Sequence, residues 1–298
     1  METRFEIVVT PGEHKMRLED LLFERFRSLS KLYLRGRIRD EMCEVNGRWE
    51  NRGHRLRAND LVEITLDPTR MNSMVPEAIP LQIVFQDSYM VVVNKPAGML
   101  VHPSHRDKNG TLLNALAHHL NRGDGPHVRP GLVHRLDKDT SGLLLIAKNT
   151  RAHGRLARQF EKKTVEKRYV ALVEGDVEQD EGTMDAPIGR FIEEKRWDVM
   201  TEGRAALTRF RVLERAGGCS LLELEPVTGR TNQLRIHCAA IGHPIVGDTE
   251  RGGREFSRLS LQAFQLSFRH PGSNEMVSFK LEHEFGLDDI LGTAEPTR

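Results

Sequence analysis

The amino-acid sequence predicts an α+β protein with two folding units, of which the larger is built on a mixed, largely antiparallel β-sheet with flanking helices. The chain has 298 residues, about twice the length of a common domain. Short apolar runs typical of strands alternate irregularly with amphipathic helical segments, without a regular βαβ repeat. A stretch with three prolines and no sustained periodicity lies near residues 68–80. We therefore expect a small domain at residues 1–70, a linker at 71–80, a large domain at 81–285 and a tail at 286–298.

The small domain has the pattern of a compact α+β unit. The run FEIVV predicts a strand, and the leucines between Leu18 and Leu32 approximate helical spacing, which predicts two helices broken near residues 28–30. An Asn46-Gly47 pair between short apolar runs predicts a hairpin turn. The segment LVEITL then predicts the last strand of this domain.

The large domain begins with strand patterns LQIVFQ and MVVVNK, the second apolar enough to be buried on both faces. Further strands are predicted at GLLLIAKN, KRYVALVEG, ALTRFRVLER and LLELEPV. Helices are predicted at residues 111–120, at residues 150–160 and in TNQLRIHCAAIG. Together these segments predict a mixed sheet with scattered helices.

The composition excludes several classes of protein. Three cysteines, Cys43, Cys219 and Cys238, are widely spaced and form no CxxC pair, which favours free thiols in a reducing compartment over structural zinc. No HExxH or GxSxG motif occurs, so neither a metal site nor a serine hydrolase is supported. The chain shows no apolar run near the roughly 18 residues of a membrane span and no secretion signal. We expect a cytoplasmic, monomeric protein without membrane contact, metal or cofactor.

Basic residues are concentrated in the small domain, although the net charge of the whole chain is only +1. Between Arg25 and Arg57, ten basic residues stand against four acidic ones. Such a run is as often a solvated surface as a binding site. The order RLEDLL, RGRI, VNG and RLRANDLVEI, however, resembles the small RNA-binding domain first described in a ribosomal small-subunit protein. The resemblance implies that RNA phosphates are contacted by Lys31, Arg35, Arg37 and Arg39.

The most informative segment of the large domain is the loop HRLDKDTSG, which stands before a buried strand. A polar loop at a strand end can mount a reactive side chain, and Gly142 can supply an unusual backbone angle. Taken alone, Asp137 and Asp139 would more often cap a turn. The string HRLDKDTSGLLLIAKN nevertheless resembles the motif of RluA-type pseudouridine synthases. The segments NKPAGMLVHP, KRYVALVEG and PVTGRTNQLRIHCAAIGHPIVGD are similar to the other motifs of that family, in the same order.

This resemblance implies a reaction and a set of site residues. Asp137 corresponds to the family's nucleophile and Arg235 to its ion-pair partner. Tyr169 corresponds to the tyrosine that stacks on the target base, and Arg135 to the residue that enters the RNA when that base is turned outward. Arg230, near the start of the same predicted helix as Arg235, is expected to contact RNA. Without the family pattern, a surface Arg and a core Tyr would be the ordinary interpretations.

The residue types suit the implied chemistry. Uridine becomes pseudouridine when the glycosidic carbon–nitrogen bond breaks, the uracil rotates and a ring carbon joins the ribose, without redox change or group transfer. No cofactor is therefore required, and an ionised carboxylate can act as nucleophile or base and then depart. Because burial alone would raise the pKa of Asp137, a nearby cation is expected to oppose that shift.

Three residues depart from the family pattern: Asn232 where His is common, and Glu250 and Arg251 where an aromatic residue is common. We expect these departures to alter local RNA contacts without touching Asp137. Two other functions stay open, a non-catalytic RNA-binding or assembly factor and an N-glycoside hydrolase that releases uracil. The expected substrate is large-subunit ribosomal RNA, with transfer RNA second.

Overall fold

The computed structural model describes residues 2–26, 29–68, 75–104, 107–123 and 128–291. The chain divides into two compact units. The small unit comprises residues 1–75 and 105–109. The larger unit comprises residues 76–104 and 110–298, and we call it the synthase unit because it contains the segments that resemble the synthase motifs. Parts of the predicted linker and tail, residues 71–74 and 292–298, lie outside the described residues, as does Ser28 at the predicted helix break.

The small unit packs two helices on an antiparallel sheet of strand order β1-β4-β2-β3. Its interior is formed by leucines of the first helix, such as Leu18 and Leu22, against Val62 and Ile64 of the sheet, all at most 1% exposed. Asn46 and Gly47 have φ angles of 52° and 71°, which is the geometry of the predicted tight hairpin. The elements are β1 Thr3–Val8, α1 Leu18–Arg25, α2 Lys31–Arg39, β2 Cys43–Val45, β3 Arg48–Trp49 and β4 Leu61–Leu66.

The synthase unit is organised around one large sheet, with strand order β10-β13-β14-β9-β15-β8-β6-β5 and with β16 and β7 paired to β15 and β8. A separate hairpin is formed by β11 and β12. The elements are β5 Gln82–Gln86, β6 Met90–Lys95, α3 Leu112–His119, β7 Gly131–Leu132, β8 Ser141–Ala147, α4 Thr150–Glu161, β9 Glu166–Glu174, β10 Glu181–Asp185, β11 Ile188–Phe191, β12 Arg196–Val199, β13 Leu207–Ala216, β14 Cys219–Pro226, α5 Gln233–Ala240, β15 Leu261–Arg269, β16 Met276–Lys280 and α6 Asp288–Leu291.

The pairing confirms a mixed, largely antiparallel sheet. Neighbouring strands run antiparallel except β15 and β8, which pair in parallel at Gln262–Ser141 and Ala263–Gly142. All seven residues of β8 are buried, as its apolar sequence predicts for a strand covered on both faces. In the described residues, no helix is long and apolar enough to span a membrane.

Gly142 lets the two parallel strands approach closely. Its φ of 109° lies in a region that residues with a side chain rarely adopt, and a Cβ there would lie 2.2 Å from the Ala263 carbonyl oxygen. Strand β15 can therefore lie against β8 immediately after the Asp137 loop. Because β15 also pairs with β9, it brings that loop into the same part of the sheet as Tyr169.

Candidate active site

A cavity of about 620 Å³ lies in the synthase unit, where the Asp137 loop, β9 and the start of α5 meet. The strands place these segments together because β8, β15 and β9 are consecutive in the sheet. The cavity contains every residue of the synthase unit that the sequence predicted for the site: Arg135, Asp137, Tyr169, Arg230 and Arg235.

Asp137 lies in the loop that joins β7 to β8. The residues on either side, Leu136 and Thr140, are buried at 5% and 3% exposure and hold the loop against the unit. Lys95, at the end of β6, also holds the loop, since its ammonium donates to the Lys138 carbonyl at 2.9 Å. The carboxylate is therefore mounted on a loop that is fixed on both sides.

The pKa of Asp137 is raised above the usual value for Asp because the carboxylate is buried. The charges of Arg135, Arg235 and Lys95 oppose this rise, as does a hydrogen bond from the backbone N–H of Asn232. The predicted need for nearby positive charge is thus met by several groups. The Asn232 N–H acts on Asp137 from a left-handed backbone (φ 54°) at the start of α5, and this backbone group is the same whichever side chain stands at position 232.

Tyr169 lies on β9 and lines the same cavity. Burial raises the pKa of its hydroxyl, and the negative charge of Asp137 raises it further. The phenol therefore stays neutral at physiological pH. Its ring supplies an apolar wall near the carboxylate, which a planar base could contact.

Arg235, in the first turn of α5, has contacts that differ from the prediction. Its guanidinium donates to both oxygens of Asp248, at 2.6 and 2.7 Å, and to Glu250 at 2.8 Å. Among the described residues, no ion pair joins Arg235 directly to Asp137. Asp248 is 1% exposed and offers both oxygens to the guanidinium, a geometry that favours the bidentate pair. Arg235 acts on Asp137 through its charge and without direct contact.

The two other departures from the family pattern lie on the turn Thr249–Arg251. Glu250 accepts the hydrogen bond from Arg235, whereas Arg251 donates to the Trp197 carbonyl at 2.8 Å. Neither is among the residues that line the cavity. Glu250 is therefore linked to the site only through Arg235.

The remaining predicted residues of the synthase unit lie at the cavity wall. Arg135 is exposed, and Arg230 donates through Nε to the Ala205 carbonyl at 3.1 Å. In the described part of the chain, neither forms an ion pair with a carboxylate. Both guanidinium groups are thus available to an anionic ligand.

The basic residues predicted in the small unit have partners within that unit. Arg35 donates to Glu19 at 2.7 Å, and Arg37 donates to Glu2 at 2.9 Å. Arg39 donates to Asp40 at 3.0 Å. The ammonium of Lys31 lies 4.6 Å from the centre of the Phe23 ring. That these four residues contact RNA stays a prediction.

Two further groups near Asp137 have roles that the structure makes clear. His134 accepts a hydrogen bond from the Leu145 N–H at 2.9 Å, and burial lowers its pKa to about 3, so it is a neutral structural group. Lys95 is completely buried and donates to the Pro96 and Met99 carbonyls as well as to Lys138. Sequence reasoning did not single out Lys95, although it lies in the quoted NKPAGMLVHP segment. In the described ranges, no three His, Cys, Asp or Glu residues could hold a metal ion.

Comparison with known proteins connects this site to a family. A family model described as RNA pseudouridylate synthase matches residues 89–240. A Bacillus subtilis protein named as an uncharacterized RNA pseudouridine synthase is 37% identical over 283 residues, covering 93% of each chain. The ribosomal large subunit pseudouridine synthase D of Nitrosomonas europaea is 37% identical over 290 residues, covering 93% of this chain and 83% of that protein.

Solved structures agree with the sequence matches. Human RNA pseudouridylate synthase domain containing 1 superposes with a TM-score of 0.59 at 30% identity, covering 74% of this chain and 98% of that one. Human RNA pseudouridylate synthase domain containing 4, at 24% identity and a TM-score of 0.56, shares the fold. The residues matched by the family model include Asp137, Tyr169 and Arg235. The chain belongs to the RNA pseudouridylate synthase family.

Proposed function

We propose that this enzyme converts specific uridines in large-subunit ribosomal RNA to pseudouridine, with Asp137 as the nucleophile. The observation that carries the proposal is a partly buried carboxylate surrounded by positive charge in a cavity with an aromatic wall. Desolvation raises the pKa of Asp137, and the surrounding cations oppose that rise and so favour the ionised form that the reaction requires.

The other cavity residues have roles in the same proposal. A uridine within a stem must leave its stack to reach Asp137, and Arg135, whose side chain is exposed, then occupies the space that it leaves. Tyr169 stacks on the extruded uracil, which suits a neutral aromatic ring beside the carboxylate. Arg235 keeps Asp137 ionised and is itself held in place by Asp248. Arg230 binds RNA phosphate.

The choice of RNA is supported by the relatives. One relative, of which the alignment covers 83%, is named a ribosomal large subunit pseudouridine synthase. A protein of that name in Pseudomonas aeruginosa is 36% identical over 288 residues. Transfer RNA is the second candidate. Modification of ribosomal RNA would also place the protein in the cytoplasm.

The decisive experiment maps pseudouridines in RNA from cells with and without this protein and repeats the reaction with purified enzyme and the RNA so identified. We expect one or a few uridines of large-subunit ribosomal RNA to lose the modification and to regain it in vitro. Unchanged uridine in every RNA would favour a non-catalytic RNA-binding factor. An abasic ribose with free uracil would instead identify an N-glycoside hydrolase.

A further inference from the structure

The cavity around Asp137 has more positive charge than its own carboxylates neutralise. Six cationic and four anionic side chains line it. Arg209 pairs with Glu225 at 3.4 Å, and Arg235 pairs with Asp248 and Glu250, two carboxylates that do not line the cavity. The other four cations form no ion pair in the described part of the chain. They are Arg135, Arg230, Lys163 and Lys167. The arginines have a place in the proposed function, whereas the two lysines do not.

Lys163 stands at the end of α4 in a backbone conformation that is unfavourable for lysine. Its φ is 55°, in the left-handed region where glycine is the usual residue after a helix. The backbone N–H still donates to the Phe160 carbonyl at 3.1 Å, so the turn itself could be made by glycine. The helix end therefore gains nothing from the lysine side chain, which lies instead along the cavity.

Lys167 lies on β9, two residues before Tyr169. Side chains two apart on a strand point to the same face, so Lys167 and Tyr169 both reach the cavity, roughly 6.6 Å apart along the strand. Lys163 and Lys167 line the same cavity. Burial lowers the pKa of Lys167, and the positive charge of Lys163 lowers it further. Glu161 and Glu166 also line the cavity, but neither forms an ion pair with these lysines in the described residues.

We propose that Lys163 and Lys167 form a phosphate subsite, which binds the RNA phosphodiester next to the uridine that enters the cavity. This inference rests on the proposed function and adds substrate-binding residues to the same site. Two neighbouring cations without a carboxylate partner are stabilised by an anion that contacts both, and a phosphodiester is the anion that accompanies every nucleotide. The spacing from Lys167 to Tyr169 suits one nucleotide, with its base on the ring and its phosphate at the lysines.

The test uses the full chain with Lys163→Gln, Lys167→Gln and the double substitution. Lys162→Gln is the matched control, because Lys162 is exposed, adjacent in sequence and absent from the cavity lining. The Kd for a fragment of large-subunit ribosomal RNA is measured at several salt concentrations, together with single-turnover pseudouridine formation. For the double variant we expect the slope of log affinity against log salt to become shallower by about 1.4 to 1.8, and Kd to rise about tenfold at moderate salt. The rate at saturating RNA should stay within about threefold of wild type, because phosphate contacts position the substrate and take no part in the bond changes.

Lys163→Gly separates binding from folding. Glycine suits the left-handed backbone, so this variant should unfold at the same or a higher temperature than wild type and yet lose affinity as Lys163→Gln does. If the double variant matches Lys162→Gln in Kd and salt slope while wild type forms pseudouridine, the subsite is wrong and the proposed function stands. If wild type forms no pseudouridine in any RNA, the proposed function fails and the subsite fails with it.

Discussion

The small unit and the synthase unit both contain many cations, but they use them differently. In the small unit, Arg35, Arg37 and Arg39 donate to carboxylates of the same unit at the surface. In the synthase unit, six cations line the cavity around Asp137, and four of them form no ion pair among the described residues. The excess of basic residues in the sequence is greatest in the small unit, whereas the unpaired positive charge around Asp137 lies in the synthase unit.

This difference shows that the number of basic residues in a segment does not measure its capacity to bind an anion. A cation already paired with a carboxylate must first give up that partner, and the carboxylate then attracts a counterion in its place. A cation in a cavity without a partner binds an anion without that loss. The following predictions test whether the small unit contributes to RNA binding while the synthase unit carries out the reaction.

The largest effect is expected for the carboxylate that the cavity cations surround. Asp137→Asn keeps the shape of the side chain but cannot act as a nucleophile, so pseudouridine formation should fall by a factor of about 10⁴ or more. RNA affinity should change by less than about threefold. Tritium release from uracil-labelled RNA measures the rate, with Asp139→Asn in the same loop as the control. Appreciable turnover by the Asp137 variant would remove this residue from its proposed role.

A smaller loss is expected at Arg235, whose charge favours ionised Asp137. Arg235→Ala should lower the rate at neutral pH by about 10²- to 10³-fold and shift the rising limb of the pH–rate profile to higher pH. The variant also leaves buried Asp248 unpaired, which should lower the free energy of unfolding by about 3–5 kcal/mol. Arg235→Lys should recover only part of the rate, because a lysine cannot form the bidentate pair.

Glu250→Gln is the control for this experiment, since it removes only the exposed partner of the same arginine. Its rate should stay close to wild type. An Arg235→Ala enzyme with a wild-type pH profile would contradict the electrostatic role of Arg235.

Lys95 is a third kind of cation, buried and fully engaged with backbone carbonyls. Lys95→Met removes the donor to three carbonyls, each worth roughly 1 kcal/mol, and should lower the free energy of unfolding by about 3 kcal/mol. The rate should fall as well, because the Asp137 loop loses its support at Lys138. Chemical denaturation measures the first effect. Lys138→Met removes an exposed side chain but keeps its carbonyl, so its stability should resemble wild type.

Each basic residue of the small unit should contribute less to RNA affinity than its charge suggests. Replacing Lys31, Arg35, Arg37 and Arg39 together by Gln should leave the rate at saturating RNA unchanged and weaken RNA binding about tenfold. Four full phosphate contacts would reduce the salt slope by about 2.8 to 3.6, and we expect a smaller reduction because three of the residues are already paired. An unchanged slope would show that this basic region is only a solvated surface.

The smallest effect concerns stability and pH. Because the pKa of Asp137 is raised in the folded protein, its ionised form costs stability at neutral pH. Asp137→Asn should therefore have a higher Tm than wild type at pH 7. The difference in Tm between the variant and wild type should shrink as the pH falls. It should vanish below pH 3.8, the usual pKa of Asp, because Asp137 is then protonated in both the folded and the unfolded wild type. Equal Tm values at pH 7 would contradict a burial cost at this carboxylate.

The sequence predicted much of the secondary structure because its local patterns are strong. The apolar runs of β6 and β8 and the Asn46-Gly47 turn appear as predicted. Strands β10 to β12, β15 and β16 were not predicted. The pairing of β15 between β9 and β8 depends on contacts between residues about a hundred positions apart, which no local periodicity reports.

The motifs predicted a set of site residues but not the partners of those residues. The bond from Asn232 to Asp137 depends on a left-handed backbone at the start of α5, and the pairing of Arg235 with Asp248 depends on the turn after it. Lys95 would ordinarily be placed at the surface, because a lysine is almost never fully buried. Its three carbonyl partners are visible only once the chain is folded.

The position of β15 has a consequence for when the enzyme can first work during its synthesis. This strand, Leu261–Arg269, is among the last parts of the sheet to be made, yet it lies between β8 and β9 at the centre of the sheet. A nascent chain that ends before residue 261 has the Asp137 loop and Tyr169 but nothing to hold their strands side by side. Because domains form once their sequence is complete, Asp137 and Tyr169 come together only after β15 has been synthesised.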